Sequence, residues 1–154
     1  MYELTTGISR RKPSMVRDGQ PVRVRGTAEL AEECKDLAHA AQECFVEITL
    51  NARNEIIDKH VVTVGLLNES LVHSREIFVR AITDNAAAVI LVHNHPSGDP
   101  SPSAEDLCIT KRLVDAGDIL EIKVLDHMVV APDDVNGGVK ACSMREEGLI
   151  KFAA

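Results

Sequence analysis

Two histidines and one aspartate are spaced so that they could share a metal ion. His93 and His95 lie two residues apart at the end of a short apolar run, residues 86–92. If that run is a strand, residues two apart point to the same side of it. Asp106 follows after a segment rich in proline and glycine, which can fold back on the strand. Two imidazoles and one carboxylate leave a fourth position for water, as in a catalytic zinc site.

Each part of this pattern also has a purely structural interpretation. A single histidine at a strand end is commonly a polar surface residue. Ser103 and Asp106 form a helix-capping box, in which side chains bond the free backbone N–H groups of a helix start. The two interpretations of Asp106 are compatible, because the Ser103 hydroxyl can cap the helix while the carboxylate binds metal. The combination of two histidines, a turn-rich segment and a capped helix favours a metal site.

A zinc ion in such a site predicts hydrolytic chemistry. Zinc lowers the pKa of water toward about 7 and can polarise a carbonyl oxygen. A nearby carboxylate can carry a proton to a leaving amine, and a hydroxyl donor can stabilise the oxyanion. These parts together suit the hydrolysis of an amide bond.

The elements that would position these residues alternate between helix and strand. Hydrophobic periodicity and capping signals predict three helices, at 27–42, 74–85 and 103–116, the last ended by Gly117. Apolar or alternating runs predict strands at 43–50, 55–64, 86–92 and 121–130, a short edge strand at 21–25 and a final strand or hairpin in the tail. The predicted fold class is α/β with a mixed sheet.

The text HNHPSGDPSPSAED, residues 93–106, resembles a known family signature. His93, His95, Ser103 and Asp106 match H-x-H-x7-S-x2-D, the JAMM signature of MPN+ (JAB) metalloenzymes, without a gap. With the flanking stretches ECFVEITLNARNEII, HSREIFVRAITDNAAAVIL, LDHMVV and SMREEGL, about residues 28–150 resemble the RadC-like JAB domain. We do not find the helix-hairpin-helix segment that precedes this domain in full-length RadC proteins. We therefore expect a stand-alone JAB domain at residues 26–154, after a flexible basic arm at residues 1–25.

The resemblance implies a JAMM/MPN fold, related to that of cytidine deaminases, in which helices flank a curved mixed β-sheet. It implies Zn²⁺ as the cofactor, held by His93, His95 and Asp106, with the Ser103 hydroxyl helping to stabilise an oxyanion. In that family a glutamate from an earlier strand holds the water. The zinc deaminases themselves are excluded, because their H-x-E and P-C-x-x-C segments do not occur in the sequence.

Two glutamates compete for the role of general acid/base. Glu43 and Glu47 fall on the same face of the strand predicted at 43–50. The family pattern E-x-F-x-x-x-x-L lands on Glu43, and strand ends are where side chains reach into a site. We therefore expect Glu43 to be catalytic, with Glu47 as the alternative, although both glutamates could simply be solvated.

The predicted function is that of a zinc-dependent metallopeptidase or isopeptidase acting on a peptide or protein substrate. The alternatives are a DNA-repair-associated protein that acts on or near DNA, and a non-catalytic MPN binding module. A net charge of −7 argues against nucleic acid as the main ligand. Residues 1–25 nevertheless carry six lysines and arginines against two acidic residues, so the arm is the candidate contact for nucleic acid.

Composition sets further limits. Four aromatic residues are too few for a base-stacking surface. The longest apolar run has seven residues, far below the roughly 20 of a membrane span. No signal peptide is recognised, so we expect a cytoplasmic protein without membrane contact, and the sequence leaves its oligomeric state open. The four cysteines form no C-x-x-C pair and are expected to be reduced and buried.

The remaining histidines are expected to be structural. His127 precedes an apolar strand, where a hydrogen-bonded histidine is commoner than a fourth metal ligand. His39, His60 and His73 have no supporting neighbours in the sequence and are expected at the surface or its rim.

Overall fold

The computed structural model describes residues 12–65 and 72–152. Its helices are α1 (Thr27–Glu33), α2 (Lys35–Ala38), α3 (Ser74–Thr83) and α4 (Ala104–Leu120). Its strands are β1 (Val16–Arg17), β2 (Gln20–Pro21), β3 (Cys44–Leu50), β4 (Ile56–Val64), β5 (Ala88–Asn94), β6 (Lys123–Asp133) and β7 (Gly138–Ser143). The fold is mixed α/β, as the sequence predicts.

Five strands form the main sheet, in the order β4-β3-β5-β6-β7. β5 and β6 are parallel, and the other neighbouring pairs are antiparallel. The pairing of β3 with β4 shifts register twice, between Phe45 and Val46 and again between Thr49 and Leu50. β1 and β2 pair with each other in a separate small ribbon.

Both faces of the sheet are covered by helices. One core cluster joins Val46, Ile48 and Leu50 of β3 to buried residues of α1 and α2, including Leu30 and Ala38. The opposite cluster joins Phe45 to buried residues of α3 and α4. Alternate residues of β3 thus point to opposite faces of the sheet, as the strand predicted at 43–50 requires. Because both faces of the sheet are buried, the sequence of β5 is a continuous apolar run.

The helix predicted at 27–42 is broken at Cys34 and ends at Ala38. In an unbroken helix the carbonyl of Glu33 would accept a hydrogen bond from the backbone N–H of Leu37. Instead, Nζ of Lys59 on β4 donates to that carbonyl at 2.8 Å. A contact from a distant strand thus takes the acceptor that the helix needs, and α2 starts anew.

The helix predicted to stop before Gly117 continues to Leu120. A Cβ at Gly117 would lie 2.5 Å from the carbonyl oxygen of Ile122, so this glycine permits close packing inside α4. The helix ends at Glu121, which adopts a left-handed conformation with φ of 57°. The hydrophobic periodicity of the helix predicted at 74–85 places Ile82 on its buried face with Ile77, Phe78 and Ala81, but Ile82 is 59% exposed.

Residues 12–25 lie against the body of the domain. Of the strand predicted at 21–25, only Pro21 belongs to a strand, β2, and Arg23 forms an isolated bridge with Glu55. Val22 and Val24 pack against the α1 side of the core. Residues 1–11 of the predicted arm lie outside the described residues, and the boundary at residue 25 stays a prediction.

The expectation of reduced, buried cysteines is met only in part. All four cysteines are free, and Cys34 is buried, but Cys108 is exposed rather than buried. Within residues 12–65 and 72–152, no helix is long and apolar enough to cross a membrane.

Candidate metal centre

Four side chains from three parts of the chain converge at the end of β5. His93, the penultimate residue of β5, is fully buried, and His95 follows directly after the strand. The Nε2 atoms of the two histidines are 3.0 Å apart. Oδ2 of Asp106, from the first turn of α4, lies 3.3 Å from Nε2 of His93 and 3.6 Å from Nε2 of His95. Oε1 of Glu43, just before β3, lies 3.8 Å from Nε2 of His95.

The spacing of these atoms suits a tetrahedral metal ion. Zn²⁺ binds nitrogen and oxygen at about 2.0–2.1 Å, so neighbouring ligand atoms of a tetrahedron lie about 3.3 Å apart. The two imidazole nitrogens and the Asp106 oxygen are separated by 3.0, 3.3 and 3.6 Å. His93, His95 and Asp106 could therefore hold zinc with little movement, and Glu43 lies beside His95.

Asp106 is held in place by the capping box that the sequence indicates. Oγ of Ser103 accepts a hydrogen bond from the backbone N–H of Asp106 at 3.1 Å. The backbone N–H of Ser103 in turn donates to Oδ2 of Asp106 at 2.7 Å. The oxygen that faces the two histidines is thus the one that closes the cap.

The electrostatics of the cluster keep Asp106 ionised. Burial opposes its charge, but hydrogen bonds with His93 and His95 hold the pKa of the Asp106 carboxyl far below its usual range. The same contact with Asp106 raises the pKa of His95. Nδ1 of His95 also lies 2.9 Å from the carbonyl oxygen of Asp99, which can only accept, so Nδ1 carries a proton. Nε2 is therefore the nitrogen of His95 that faces Asp106 and is left to bind a metal ion.

A buried chain of hydrogen bonds fixes His93 in the same way. The Thr110 hydroxyl donates to the carbonyl of Asp106 at 2.6 Å, so toward Nδ1 of His127 its oxygen accepts. His127 is neutral, since burial holds its pKa well below the usual value. With its proton on Nδ1, His127 accepts at Nε2 from Nδ1 of His93, at 2.8 Å. Nε2 of His93 is thus the nitrogen that faces Asp106 and His95 and is left to bind a metal ion.

Asn94 fixes the segment that carries Glu43. Its buried side chain donates from Nδ2 to the carbonyl of Gln42 at 3.0 Å. Its Oδ1 accepts from the backbone N–H of Cys44 at 2.7 Å. Because these two residues flank Glu43, the amide between the two histidines sets where the glutamate enters the site.

The structure places the five predicted site residues together and leaves Glu47 outside the cluster. Glu47 lies opposite Leu91 of β5 and His60 of β4, and it is fully buried. Burial raises the pKa of Glu47 to about 8. The solvated position considered for this glutamate is wrong, and Glu47 does not belong to the group of possible ligands that joins Glu43 to His93 and His95.

Three contributors were not assigned from the sequence. His127 lies behind His93 and supports it as a hydrogen-bond partner, not as a metal ligand. The sequence pattern alone indicates no role in this site for Thr110 or Asn94. Thr110 lies one helical turn after Asp106, and Asn94 stands between the two histidines. These spacings from predicted ligands are the sequence signals that could have placed Thr110 and Asn94 at the site.

The sequence is similar to those of known proteins. A family model described as the RadC-like JAB domain matches residues 24–149. A UPF0758 protein of Methanospirillum hungatei is 54% identical over 97 residues, which cover 63% of this chain and 43% of that protein. A UPF0758 protein of Desulforamulus reducens is 46% identical over 116 residues, covering 75% of this chain and 48% of the relative. A UPF0758 protein of Symbiobacterium thermophilum is 54% identical over 114 residues, which cover 74% of this chain and 46% of that protein. The chain thus spans about half the length of these curated relatives.

Proposed function

Because the chain belongs to the RadC-like JAB domain family, we propose that it is a zinc-dependent hydrolase that cleaves an amide bond in a peptide or protein. The observation that carries the proposal is the tetrahedral spacing of His93, His95 and Asp106, with Glu43 beside them. JAB and MPN domains include hydrolases, and the donor set of two imidazoles and one carboxylate suits catalytic zinc.

The proposed chemistry assigns one task to each residue. His93, His95 and Asp106 would hold Zn²⁺, which supplies a water of lowered pKa and an electrophile for the substrate carbonyl. Glu43 takes a proton from the attacking water and delivers it to the nitrogen of the leaving amine. Ser103 keeps its hydroxyl hydrogen free for the substrate oxygen, since its Oγ accepts from Asp106 in the cap.

Metal analysis before and after chelation tests this proposal. The purified chain is expected to hold about one zinc at His93, His95 and Asp106 and to cleave peptide or isopeptide-linked substrates only while zinc is present. His93→Ala and Asp106→Ala should each lose tight zinc binding, because two protein ligands compete poorly with water. Equal zinc retention by both variants would show that the ligand set is wrong.

A pair of glutamate variants tests the general base. Glu43→Gln should keep zinc and lose roughly 10²–10⁴ in turnover. Glu47→Gln is the matched control and should keep its activity. The reverse result would transfer the role to Glu47.

The same assays cover the alternative functions. Chelator-sensitive cleavage of DNA without cleavage of peptides would favour the DNA-repair role. A chain whose function survives complete removal of metal would support the non-catalytic binding module. Of the basic residues of the predicted arm, Arg17 and Arg23 are paired with Glu33 and Glu55, which leaves them poorly placed to bind phosphate.

A further inference from the structure

A second cluster of metal-ligand side chains lies on the other side of β3. His60 of β4 and Asp84, directly after α3, meet with Nε2 and Oδ2 2.7 Å apart. Asp58 of β4 completes a set whose ligand atoms all lie within 4.8 Å of one another. His60, expected to have no supporting neighbours, therefore has two acidic ones.

A buried carboxyl group without a partner lies against this cluster. Both oxygens of Glu47 are inaccessible to solvent, and neither has a hydrogen-bond partner among the described residues. Glu47 is directly opposite His60 in the β3–β4 register, so their side chains share a face. It is also close enough to Asp84 for the two charges to interact. The positive charge of Arg80 also acts on Glu47 but makes no hydrogen bond to it. A buried carboxyl group without a hydrogen-bond partner is costly in a protein interior, and an ion bound beside it would offset that cost.

The charges around the cluster show where a cation fits. The ammonium of Lys12 contacts Asp58 and lies 3.4 Å from Oδ1 of Asp84. The Lys12 side chain is 44% exposed, so an incoming ion could displace it. An open cavity of about 450 Å³, lined in part by His60, Arg80 and Asp84, leads to the cluster from solvent.

From this geometry we propose that Asp58, His60 and Asp84 form a second binding site for a divalent metal ion. The buried carboxyl group of Glu47 lies next to this site, opposite His60. One imidazole and several carboxylates form a mixed nitrogen and oxygen set, which suits ions such as Zn²⁺ and Mn²⁺. The site is separate from the Glu43, His93, His95 and Asp106 cluster and does not rest on the proposed hydrolase activity.

Zinc counting by equilibrium dialysis and elemental analysis tests the proposal on the full chain. Variants His60→Gln and Asp84→Asn should each lose one bound equivalent, or bind it at least about tenfold more weakly. His95→Ala, which removes a ligand of the other cluster, should keep this equivalent. His39→Gln, at an exposed histidine after α2, is the matched control and should bind as the wild type does.

Lys12 provides a test in the opposite direction. Since its ammonium competes with the ion, Lys12→Gln should tighten binding of the second equivalent several-fold. Asp84 also accepts a hydrogen bond from Thr49, at 2.7 Å, so Asp84→Asn could impair folding. In that case His60→Gln on the sheet edge carries the test with Lys12→Gln.

The outcomes separate the two sites. Loss of one equivalent when His60→Gln is added to His95→Ala supports the second site, whether or not the first cluster binds zinc. Unchanged stoichiometry and affinity in His60→Gln and Asp84→Asn would overturn it, as would weaker binding in Lys12→Gln.

Discussion

Ser103 combines a structural bond with a proposed catalytic one. Its Oγ caps α4 by accepting from Asp106, and its hydroxyl hydrogen is assigned to the substrate oxygen. Ser103→Ala should lower the free energy of unfolding by about 0.5–2 kcal/mol through loss of the cap, and should also lower turnover. Ser103→Gly separates the two roles, because glycine at an N-cap costs only a few tenths of a kcal/mol.

The expected result is a Ser103→Gly variant that is nearly as stable as the wild type in urea, retains zinc, and is inactive on peptides. Wild-type turnover in that variant would leave Ser103 with capping alone.

Glu47 should make stability depend on pH in metal-free protein. Burial raises its pKa from an ordinary value of 4.5 to about 8 in the folded chain, so the folded state binds the extra proton between these limits. Stability from this group is present below pH 4.5 and is lost as the pH rises toward 8. The slope is at most about 1.4 kcal/mol per pH unit for one proton.

Urea unfolding of wild type and Glu47→Gln, at several pH values from 5 to 8 with chelator present, measures this effect. The wild type should lose stability relative to the glutamine variant as the pH rises. Parallel curves would mean that Glu47 titrates normally.

The residues of the site differ in how well sequence could find them. His93, His95, Ser103 and Asp106 lie within one short segment, so spacing alone brings them together. The choice of Glu43 over Glu47 could be supported but not settled, because it depends on the register that sets Phe45 opposite His93. His127 could not be placed behind His93 without knowing that β6 runs beside β5.

At the level of elements, α4 connects the metal cluster to the core. Thr110 links the carbonyl of Asp106 to His127, and through it to His93. Thr110→Val keeps the shape but leaves the Nδ1–H of His127 unpaired, at a cost of about 1–3 kcal/mol. Loss of this support should also weaken zinc binding by roughly 10–100-fold.

Competition with a chelator of known affinity measures the change in zinc binding, and Thr110→Ser is the matched control that keeps the hydroxyl. Wild-type affinity in Thr110→Val would show that the chain of hydrogen bonds does not orient His93.

The close approach of α4 to β6 gives a second prediction for this element. Gly117→Ala places a Cβ 2.5 Å from the carbonyl of Ile122 and 3.2 Å from Val124. The crowding should cost about 1–3 kcal/mol of unfolding free energy. Gly138→Ala is the control, since nothing lies within 4 Å of its added methyl group. Equal urea midpoints for the two variants would contradict the prediction.

The sequence predicts the bounds of an element well where a local pattern sets them. It predicts them poorly where a contact with a distant part of the chain sets them. The strands at 43–50 and 55–64 agree with β3 and β4 to within a residue. The break at Cys34 depends on Lys59 of β4, and the continuation of α4 depends on packing around Gly117. Neither contact has a signature in the surrounding sequence.

For the whole molecule, the sheet order decides which residues can meet. β5 lies between β3 and β6, so Glu43 before β3 and His127 on β6 come to His93 from opposite sides. The alternation of helices and strands predicts a mixed sheet, but it does not rank the many possible strand orders. The two metal-ligand clusters, one near the end of β5 and one at β4, follow from that order.

The two register shifts between β3 and β4 affect whether β4 can pair with a strand of another molecule. β4 is an outer strand of the main sheet, and a long regular edge invites strands of other molecules to pair with it. The shifts give β4 an irregular course, and Asp58 and Lys59 place opposite charges along it. A second copy cannot pair there along a flat, uncharged edge. The irregularities thus make β4 a poor template for pairing with strands of another molecule.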